Sequence, residues 1–206
     1  MSLVDFSQPS LWISLASIMF NPTFWNIAAR QEYHTHWISS IFNNDRRKGC
    51  YAIAITIFTL GLVRDALFNA ALAEQPSHAA LMTPLVRLAA VLLFGTGMLF
   101  VLTSTYALGI TGTFLGDYFG ILMDQRVTSF PFNVLENPMY VGSTMSFIGV
   151  SLWHAKPAGL LVAVYVWIVY SVALSYEGPF TTMIYSQRAQ KEAATSAKEV
   201  QKKKKL

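Results

Sequence analysis

The chain has 206 residues, of which 53% are hydrophobic and only 13% are charged. Soluble domains carry about 25% charged residues, so this composition excludes an ordinary soluble domain and indicates an integral membrane protein. The net charge of +4 comes from residues 186–206, which hold seven Lys or Arg and two Glu, whereas the preceding residues are slightly acidic. We therefore predict one membrane-embedded domain, residues 1–185, and a basic polar tail, residues 186–206. The absence of a folded basic face argues against nucleic acid as a partner.

Five apolar segments follow in chain order: residues 11–29, 50–72, 85–108, 139–155 and 158–176. Crossing the hydrocarbon core takes about 20 apolar residues in a helix. Asn21-Pro22 interrupts the first segment, so that segment either spans with a kink or only dips into the membrane. Gly, Ser and Thr dilute the fourth. The expected fold is an all-α bundle of four or five transmembrane helices.

The distribution of positive charge favours five crossings with a cytosolic tail. That arrangement places twelve Lys or Arg residues on the cytosolic side and leaves Arg87 and Lys156 opposite. With four crossings, the loop of residues 30–49 and its four positive charges would move to the lumenal side. Arg64 and Asp65 lie inside the second segment, where snorkelling or a structural ion pair is the simplest role.

The connection of residues 109–138 is long and polar, and it contains four glycines and several aromatic residues. Loops of this length are often functional or disordered, but disordered segments are poor in aromatics. We therefore expect an ordered segment lying against the membrane face.

Several stretches of the sequence resemble those of a known family. The stretches FNPTFWNIAAR, GTFLGDYFGIL, FPFN, NPMYVGST and PFTTMIY are similar to those of the phospholipid N-methyltransferases that make phosphatidylcholine. The resemblance covers about residues 19–185. It implies methyl transfer from S-adenosylmethionine to the amine of phosphatidyl-N-methylethanolamine and phosphatidyl-N,N-dimethylethanolamine, with phosphatidylethanolamine kept as a further substrate. It also implies a membrane fold like that of the isoprenylcysteine carboxyl methyltransferases.

The resemblance implies a set of residues that bind the methyl donor. The family's Gly-x-Gly motif maps onto Gly95, Thr96 and Gly97, and its glutamate pair maps onto Glu177 and Gly178, where glycine replaces the second acid. The element Asn137, Pro138 and Tyr140 resembles the Arg-His-Pro-x-Tyr element of the isoprenylcysteine enzymes, with asparagine in place of histidine.

The chemistry of the transfer suggests further residues. Donor and amine must be held in line, and the amine must have lost its proton, which a carboxylate could accept. We assign catalytic roles to Asp117, Tyr140 and Glu177. A methylated ammonium favours aromatic faces, which Tyr118, Phe119 and Tyr140 could offer. The lipid phosphate needs a cation, and the candidates are Arg30 and Arg126.

Simpler roles exist for most of these residues. Gly95 and Gly97 lie mid-span, where small residues let helices touch. Asn137 and Pro138 could only begin a helix, and Glu177 could be an acid that ends a span. A glycine at 178 could serve a positive φ angle. Four tryptophans are expected at the membrane interface: Trp12, Trp25, Trp37 and Trp153.

Metal binding is not expected. His34 and His36 stand two residues apart, so they do not share a helix face, and Cys50 is the only cysteine.

Two other classes of function stay open: a membrane-bound reductase of related helical fold and a non-enzymatic lipid-binding scaffold. The chain ends in Lys203-Lys204-Lys205-Leu206, which resembles a dilysine retrieval signal. We expect a multi-pass protein of the endoplasmic reticulum membrane with a cytosolic C-terminus, and a mitochondrial membrane is kept as a second location. A polybasic tail attracted to anionic lipid is the alternative for this ending. The oligomeric state stays open.

Overall fold

A computed structural model describes residues 2–124 and 127–203, without the side chains of residues 191, 192 and 195–203. This part of the chain contains helices and no strands. The six α-helices are α1 Pro9–Thr35, α2 Trp37–Ile41, α3 Arg46–Glu74, α4 Pro84–Thr113, α5 Pro138–Trp153 and α6 Pro157–Lys203. Two short 3₁₀ turns, Ala79–Leu81 and Gly116–Phe119, complete the fold.

The five long helices run alternately up and down. At one end of the bundle, the main-chain N–H of Asp5 donates to the Gln75 side chain, and the N–H of His78 donates to the carbonyl of Ala155. The start of α1, the end of α3 and the α5–α6 turn therefore lie together there. The opposite end, called the site end below, holds the last turns of α1, the start of α3, the 3₁₀ turn Gly116–Phe119 and the second half of α6.

Within the described residues, three helical segments are long and apolar enough to cross a membrane: Arg46–Glu74, Pro84–Phe119 and Pro157–Gln190. The predicted multi-pass, all-helical membrane fold is thus confirmed. Helix α5 has 16 residues, a length of about 24 Å against a hydrocarbon core of about 30 Å. Polar residues dilute α1. The number of five crossings stays a prediction.

Helix α1 is continuous through Pro22, although the Asn21-Pro22 pair was expected to interrupt it. Asn21 is buried, and its side-chain amide donates a hydrogen bond to the Leu60 carbonyl of α3 at 3.1 Å. A hydrogen bond from a buried amide to the backbone of another helix satisfies both groups in an apolar setting. The polar pair therefore joins α1 to α3.

Helices α4 and α5 cross at very short distance. A Cβ atom added to Gly97 would lie 2.4 Å from the Gly142 carbonyl oxygen, and one added to Gly149 would lie 2.8 Å from the Ala90 carbonyl oxygen. Small residues permit such close backbone approach between membrane helices. A packing role is therefore present at Gly97. By contrast, no heavy atom lies within 4 Å of a Cβ atom added to Gly95.

Arg64 points into the bundle and does not snorkel. Its guanidinium donates to Asp65 Oδ1 at 2.9 and 2.8 Å and to the Tyr170 hydroxyl of α6, and it lies 5.2 Å from the centroid of the Phe147 ring of α5. The carboxylate and the aromatic face offset the cost of a charge at this depth. The structural-pair interpretation of Arg64 and Asp65 is thus confirmed.

Helix α6 continues without a break across residues 185 and 186, and its described part reaches Lys203. The Ala, Gln, Glu and Lys residues of the tail are strong helix formers, which favours this continuation. The division into a domain, 1–185, and a tail, 186–206, stays a prediction. Residues 204–206, with most of the predicted dilysine signal, lie outside the described residues.

The two glycines of the Gly95-x-Gly97 motif should differ in their effect on stability. We predict that Gly97→Ala destabilises the protein by ~1–3 kcal/mol, because the added methyl group meets the backbone of α5. Gly95→Ala should leave stability unchanged or slightly raised, because the site is open and alanine favours helix. Thermal unfolding of both variants in the same detergent checks this, and equal unfolding midpoints would contradict the close crossing.

The orientation of α3 can be tested with engineered cysteines. Cys50 itself is buried, so it should be replaced by serine. In that background, Lys48→Cys at the site end and Ser77→Cys at the opposite end both place the thiol at an exposed position. In sealed microsomes an impermeant thiol reagent should label the first variant directly and the second only after permeabilisation. The reverse pattern would invert the orientation, and labelling of both from outside would exclude a crossing by α3.

Candidate functional site

One face of α6 organises the site end of the bundle. Glu177, Phe180 and Thr181 are spaced three and four residues apart, so they form neighbouring positions on one side of the helix. Each contacts a different part of the chain, as described below. The name α6 stripe is used for these three residues.

Glu177 joins three helices through its carboxylate. Its Oε1 accepts hydrogen bonds from Trp25 Nε1 at 2.7 Å and from Asn26 Nδ2 at 2.8 Å, both on α1. Its Oε2 accepts from the Tyr140 hydroxyl of α5 at 2.6 Å. An ionised carboxylate offers about four lone-pair sites, so one further donor can bind. Glu177 is therefore more than an acid that ends a span.

Phe180 lies between a cation and a second aromatic ring. The Arg30 guanidinium carbon is 4.6 Å from the centroid of the Phe180 ring, and the Tyr118 ring stacks on Phe180 at a centroid distance of 5.0 Å. Arg30 also donates to the carbonyl of Tyr176 at 2.8 Å. Arg30 is thus fixed against α6, and the remaining donors of its guanidinium can bind an anion.

Thr181 holds Asp117. Its hydroxyl donates to Asp117 Oδ2 at 3.0 Å, while the other carboxylate oxygen accepts from the N–H of Tyr118 at 3.2 Å. The Gly116–Phe119 turn brings Asp117 here, and its geometry depends on glycine. A Cβ atom at Gly116 would lie 2.6 Å from the Thr111 carbonyl oxygen, and Gly120 closes the turn with φ of 73°.

A small cleft lies between α5 and α6, next to Glu177. It has a volume of about 180 Å³ and is lined by Glu136, Asn137, Tyr140, Trp167, Tyr170 and Ser171 together with three aliphatic side chains. This space is called the α5–α6 cleft below. The Asn137 side chain makes no capping bond to α5, although Asn137 stands at the N-cap position, and Pro138 is buried beside it in the first turn. The Tyr140 ring forms one wall, and its hydroxyl binds Glu177.

The structure brings five of the predicted site residues together at the α6 stripe. Asp117, Tyr118, Arg30, Tyr140 and Glu177 contact the α6 stripe or belong to it. Phe119 instead packs against α3, since a Cβ atom at Gly49 would lie 3.0 Å from its ring. Arg126 lies outside the described residues.

The Gly95–Gly97 segment lies elsewhere. Gly95 lines a separate cleft of about 400 Å³, which it shares with Asn69, Trp153 and His154, residues near the end of the bundle opposite the α6 stripe. Thr96 is half-buried between the two glycines. The cofactor role of these three residues stays a prediction that rests on the resemblance.

Four contact residues were missed by sequence reasoning: Trp25, Asn26, Phe180 and Thr181. Trp25 was interpreted as an interfacial aromatic, but its indole N–H binds Glu177. A signal was available, because all four lie in FNPTFWNIAAR or PFTTMIY, two of the stretches that carry the resemblance. The spacing of Glu177, Phe180 and Thr181 could also have indicated a shared helix face.

Histidine and acidic residues form no metal site in the part of the chain that is described: no group of three or more His, Cys, Asp or Glu side chains could hold an ion there. The fully buried Glu32 has a structural role. It accepts hydrogen bonds from the main-chain N–H groups of Ile38 and Ser39 at 2.7 and 3.2 Å, and so holds the turn between α1 and α2.

The sequence of the chain is similar to proteins of one known family. The profile of the phospholipid methyltransferases matches residues 85–188. Phosphatidyl-N-methylethanolamine N-methyltransferase of Neurospora crassa is 55% identical over 202 residues, which cover 97% of this chain and 94% of that protein. The chain belongs to the phospholipid methyltransferase family.

Other members of the phospholipid methyltransferase family are similar along nearly their whole length. Phosphatidyl-N-methylethanolamine N-methyltransferase of Saccharomyces cerevisiae is 52% identical, over 90% of this chain and 89% of that protein. Phosphatidylethanolamine N-methyltransferase of Mus musculus is 48% identical, over 90% and 93%. No solved structure matches the chain. The resemblance inferred from the sequence stretches is thereby confirmed.

There is space for a side chain at Gly178, the position where the family pattern has a second acid. It lies inside α6, no heavy atom stands within 4 Å of an added Cβ atom, and its φ angle is not positive. The need for a left-handed backbone therefore does not explain this glycine. We predict that Gly178→Glu changes the free energy of unfolding by less than about 0.5 kcal/mol, as exposed substitutions commonly do. Thermal unfolding checks this against Gly178→Gln as an uncharged control of equal size, and a large loss of stability in both would contradict an open site.

Proposed function

We propose that the protein transfers methyl groups from S-adenosylmethionine to the head-group amine of phosphatidyl-N-methylethanolamine and phosphatidyl-N,N-dimethylethanolamine, producing phosphatidylcholine. Phosphatidylethanolamine is proposed as a further substrate. The names of the relatives support the reaction. The observation that carries the site is the Glu177 carboxylate, held by three helices and adjoining the α5–α6 cleft through Tyr140.

The residues around Glu177 fit a donor with an amino group and ribose hydroxyls. Glu177 Oε2 has one described hydrogen-bond donor, Tyr140, and can accept another. Asn26 Oδ1 is buried and has no hydrogen-bond partner among the described residues. A buried acceptor without a partner is costly unless a ligand or water supplies one. We propose that these two oxygens bind the polar groups of the donor, with Gly178 leaving room beside them.

When bound, S-adenosylmethionine supplies a methyl group on a sulfonium: the lone pair of the amine forms the new N–C bond as the S–C bond breaks. Our further assignments to donor binding are Asn137 and Pro138, which shape the loop beside Tyr140, and Gly95, Thr96 and Gly97, which rest on the resemblance. Tyr140 would orient the Glu177 carboxylate through its hydrogen bond.

An ammonium has no lone pair, so a proton must leave the amine before each transfer. We propose Asp117 as the acceptor, directly or through water, because Thr181 and the Tyr118 N–H hold its carboxylate on the same face of α6 as Glu177. Arg30 is proposed to bind the lipid phosphate, with Arg126 as a second candidate. Tyr118 and Phe119, the next two residues of the turn, are both buried and stay candidates for contact with the lipid head group.

The proposed location is the endoplasmic reticulum membrane, with the α6 stripe and the C-terminus on the cytosolic side. The motivation is the density of Lys and Arg in the loop of residues 30–49 and in the tail. The soluble donor would then enter from the cytosol and the lipid from the bilayer. A mitochondrial membrane is kept as a second location.

Methyl transfer can be measured on the purified protein. Unmethylated, monomethylated and dimethylated phosphatidylethanolamine are offered separately with a radiolabelled donor, and label is counted in the extracted lipid. We expect incorporation with the mono- and dimethylated lipids. Turnover that requires reduced nicotinamide would favour the reductase, and lipid binding without any turnover would favour the scaffold.

The role of Glu177 is tested by Glu177→Gln. Glutamine keeps an oxygen for the Trp25 and Asn26 donors but loses the charge, so the helices should stay joined. We predict a loss of methyl transfer of roughly 100-fold, the scale typical of a group that positions or activates a reactant, with an unfolding midpoint close to wild type. Asp124→Asn, an acid with a 99% exposed side chain in the connection between α4 and α5, is the comparison. Near-normal turnover by Glu177→Gln would remove Glu177 from the site.

A further inference from the structure

We propose that the α5–α6 cleft is the site that receives the methylated ammonium of the lipid head group. The inference rests on the proposed function and adds to it the place where the amine binds. It shares only Asn137 and Tyr140, which line the cleft, with the residues that the resemblance assigned to the methyl donor.

Three aromatic side chains line this small cleft. The Tyr140 and Tyr170 rings meet almost at right angles, with centroids 4.9 Å apart and an interplanar angle of 74°. Trp167 stands one helical turn before Tyr170 on α6 and also lines the cleft. Two rings at right angles with an indole nearby can offer several aromatic faces to one cation. Such an arrangement recognises quaternary ammonium groups.

Tyr170 forms the floor of the cleft and is held in place by polar contacts. Tyr170 is only 4% exposed, and its hydroxyl accepts a hydrogen bond from Arg64 and lies 3.3 Å from Ser143 Oγ. The charge of Arg64 is itself paired with Asp65. Tyr170 is therefore fixed in orientation by groups behind it, which leaves its ring as part of the cleft wall.

The cleft has the openings that a lipid amine requires. Glu136 is exposed and lines its edge. Trp167 is 51% exposed on a membrane-spanning part of α6, so the cleft opens sideways to the bilayer. On α6 the lining residues 167, 170, 171 and 174 continue along one face to Glu177, so an amine in the cleft would approach the proposed donor site.

The volume argues for a head group and against the whole methyl donor. The cleft measures about 180 Å³, whereas pockets for drug-sized ligands usually measure about 300–1,000 Å³. Its lining is mainly apolar, with few groups that could bind an adenosine or an amino acid. A trimethylammonium group needs little space and few hydrogen-bond partners.

The test uses the full chain in detergent micelles. Trp167→Leu should raise the Michaelis constant for phosphatidyl-N,N-dimethylethanolamine about tenfold, within the range of a desolvated cation–π contact, and leave the Michaelis constant for S-adenosylmethionine unchanged. Trp167→Phe, which keeps an aromatic face, should raise the Michaelis constant for the lipid less. Trp12→Leu is the matched control, because Trp12 is 56% exposed but lies at the opposite end of the bundle, and it should behave as wild type.

A second measurement probes the charge directly. Dihexanoylphosphatidylcholine should inhibit the wild-type enzyme more strongly than dihexanoylphosphatidylglycerol, which lacks the ammonium, and Trp167→Leu should abolish that difference. Equal inhibition of the wild type by the two lipids would overturn the proposal. So would a change in the donor's Michaelis constant instead of the lipid's, or equal effects of Trp167→Leu and Trp12→Leu. Wild-type protein without any methyl transfer would instead refute the proposed function.

Discussion

The site depends on one carboxylate that three helices share. Glu177 receives two hydrogen bonds from α1 and one from α5, and it belongs to α6. In a membrane the hydrophobic effect does not hold helices together, so polar contacts and close packing decide their arrangement. A charge in this position is expensive unless it is fully hydrogen-bonded. The same three donors that stabilise the carboxylate also fix the direction of its remaining acceptor site.

Two other features of the fold position the residues around Glu177. The glycine crossing of α4 and α5 fixes α5, and with it the depth of Tyr140 beside Glu177. The Gly116–Phe119 turn places Asp117 against Thr181, one helical turn beyond Glu177. Asp117, proposed as the proton acceptor, Glu177, proposed to bind the donor, and the α5–α6 cleft consequently lie along one side of α6. Such a layout suits a reaction whose two reactants arrive from different phases, one from water and one from the bilayer.

The helical membrane class could be predicted from the sequence, and so could several of the residues that meet at the α6 stripe, because each rests on a local signal. Apolar runs of sufficient length indicate spans, two of the quoted stretches contain Asp117 and Tyr140, and the family's glutamate pair maps onto Glu177. What could not be predicted depends on contacts between distant residues. Trp25 looks like an interfacial aromatic until α6 places a carboxylate beside it, and Asn21 looks like a helix break until its partner on α3 is known. The different environments of Gly95 and Gly97 likewise follow only from the position of α5.

The role of Glu177 is tested most directly by the equilibrium binding of S-adenosylhomocysteine, the unreactive product of the donor, to wild-type protein and Glu177→Gln, with thermal unfolding measured on both. Because a charge-assisted hydrogen bond would be lost while the helix contacts remain, affinity should fall by roughly tenfold or more and the unfolding midpoint should change little. Unchanged affinity in a folded Glu177→Gln protein would contradict the claim that this carboxylate binds the methyl donor.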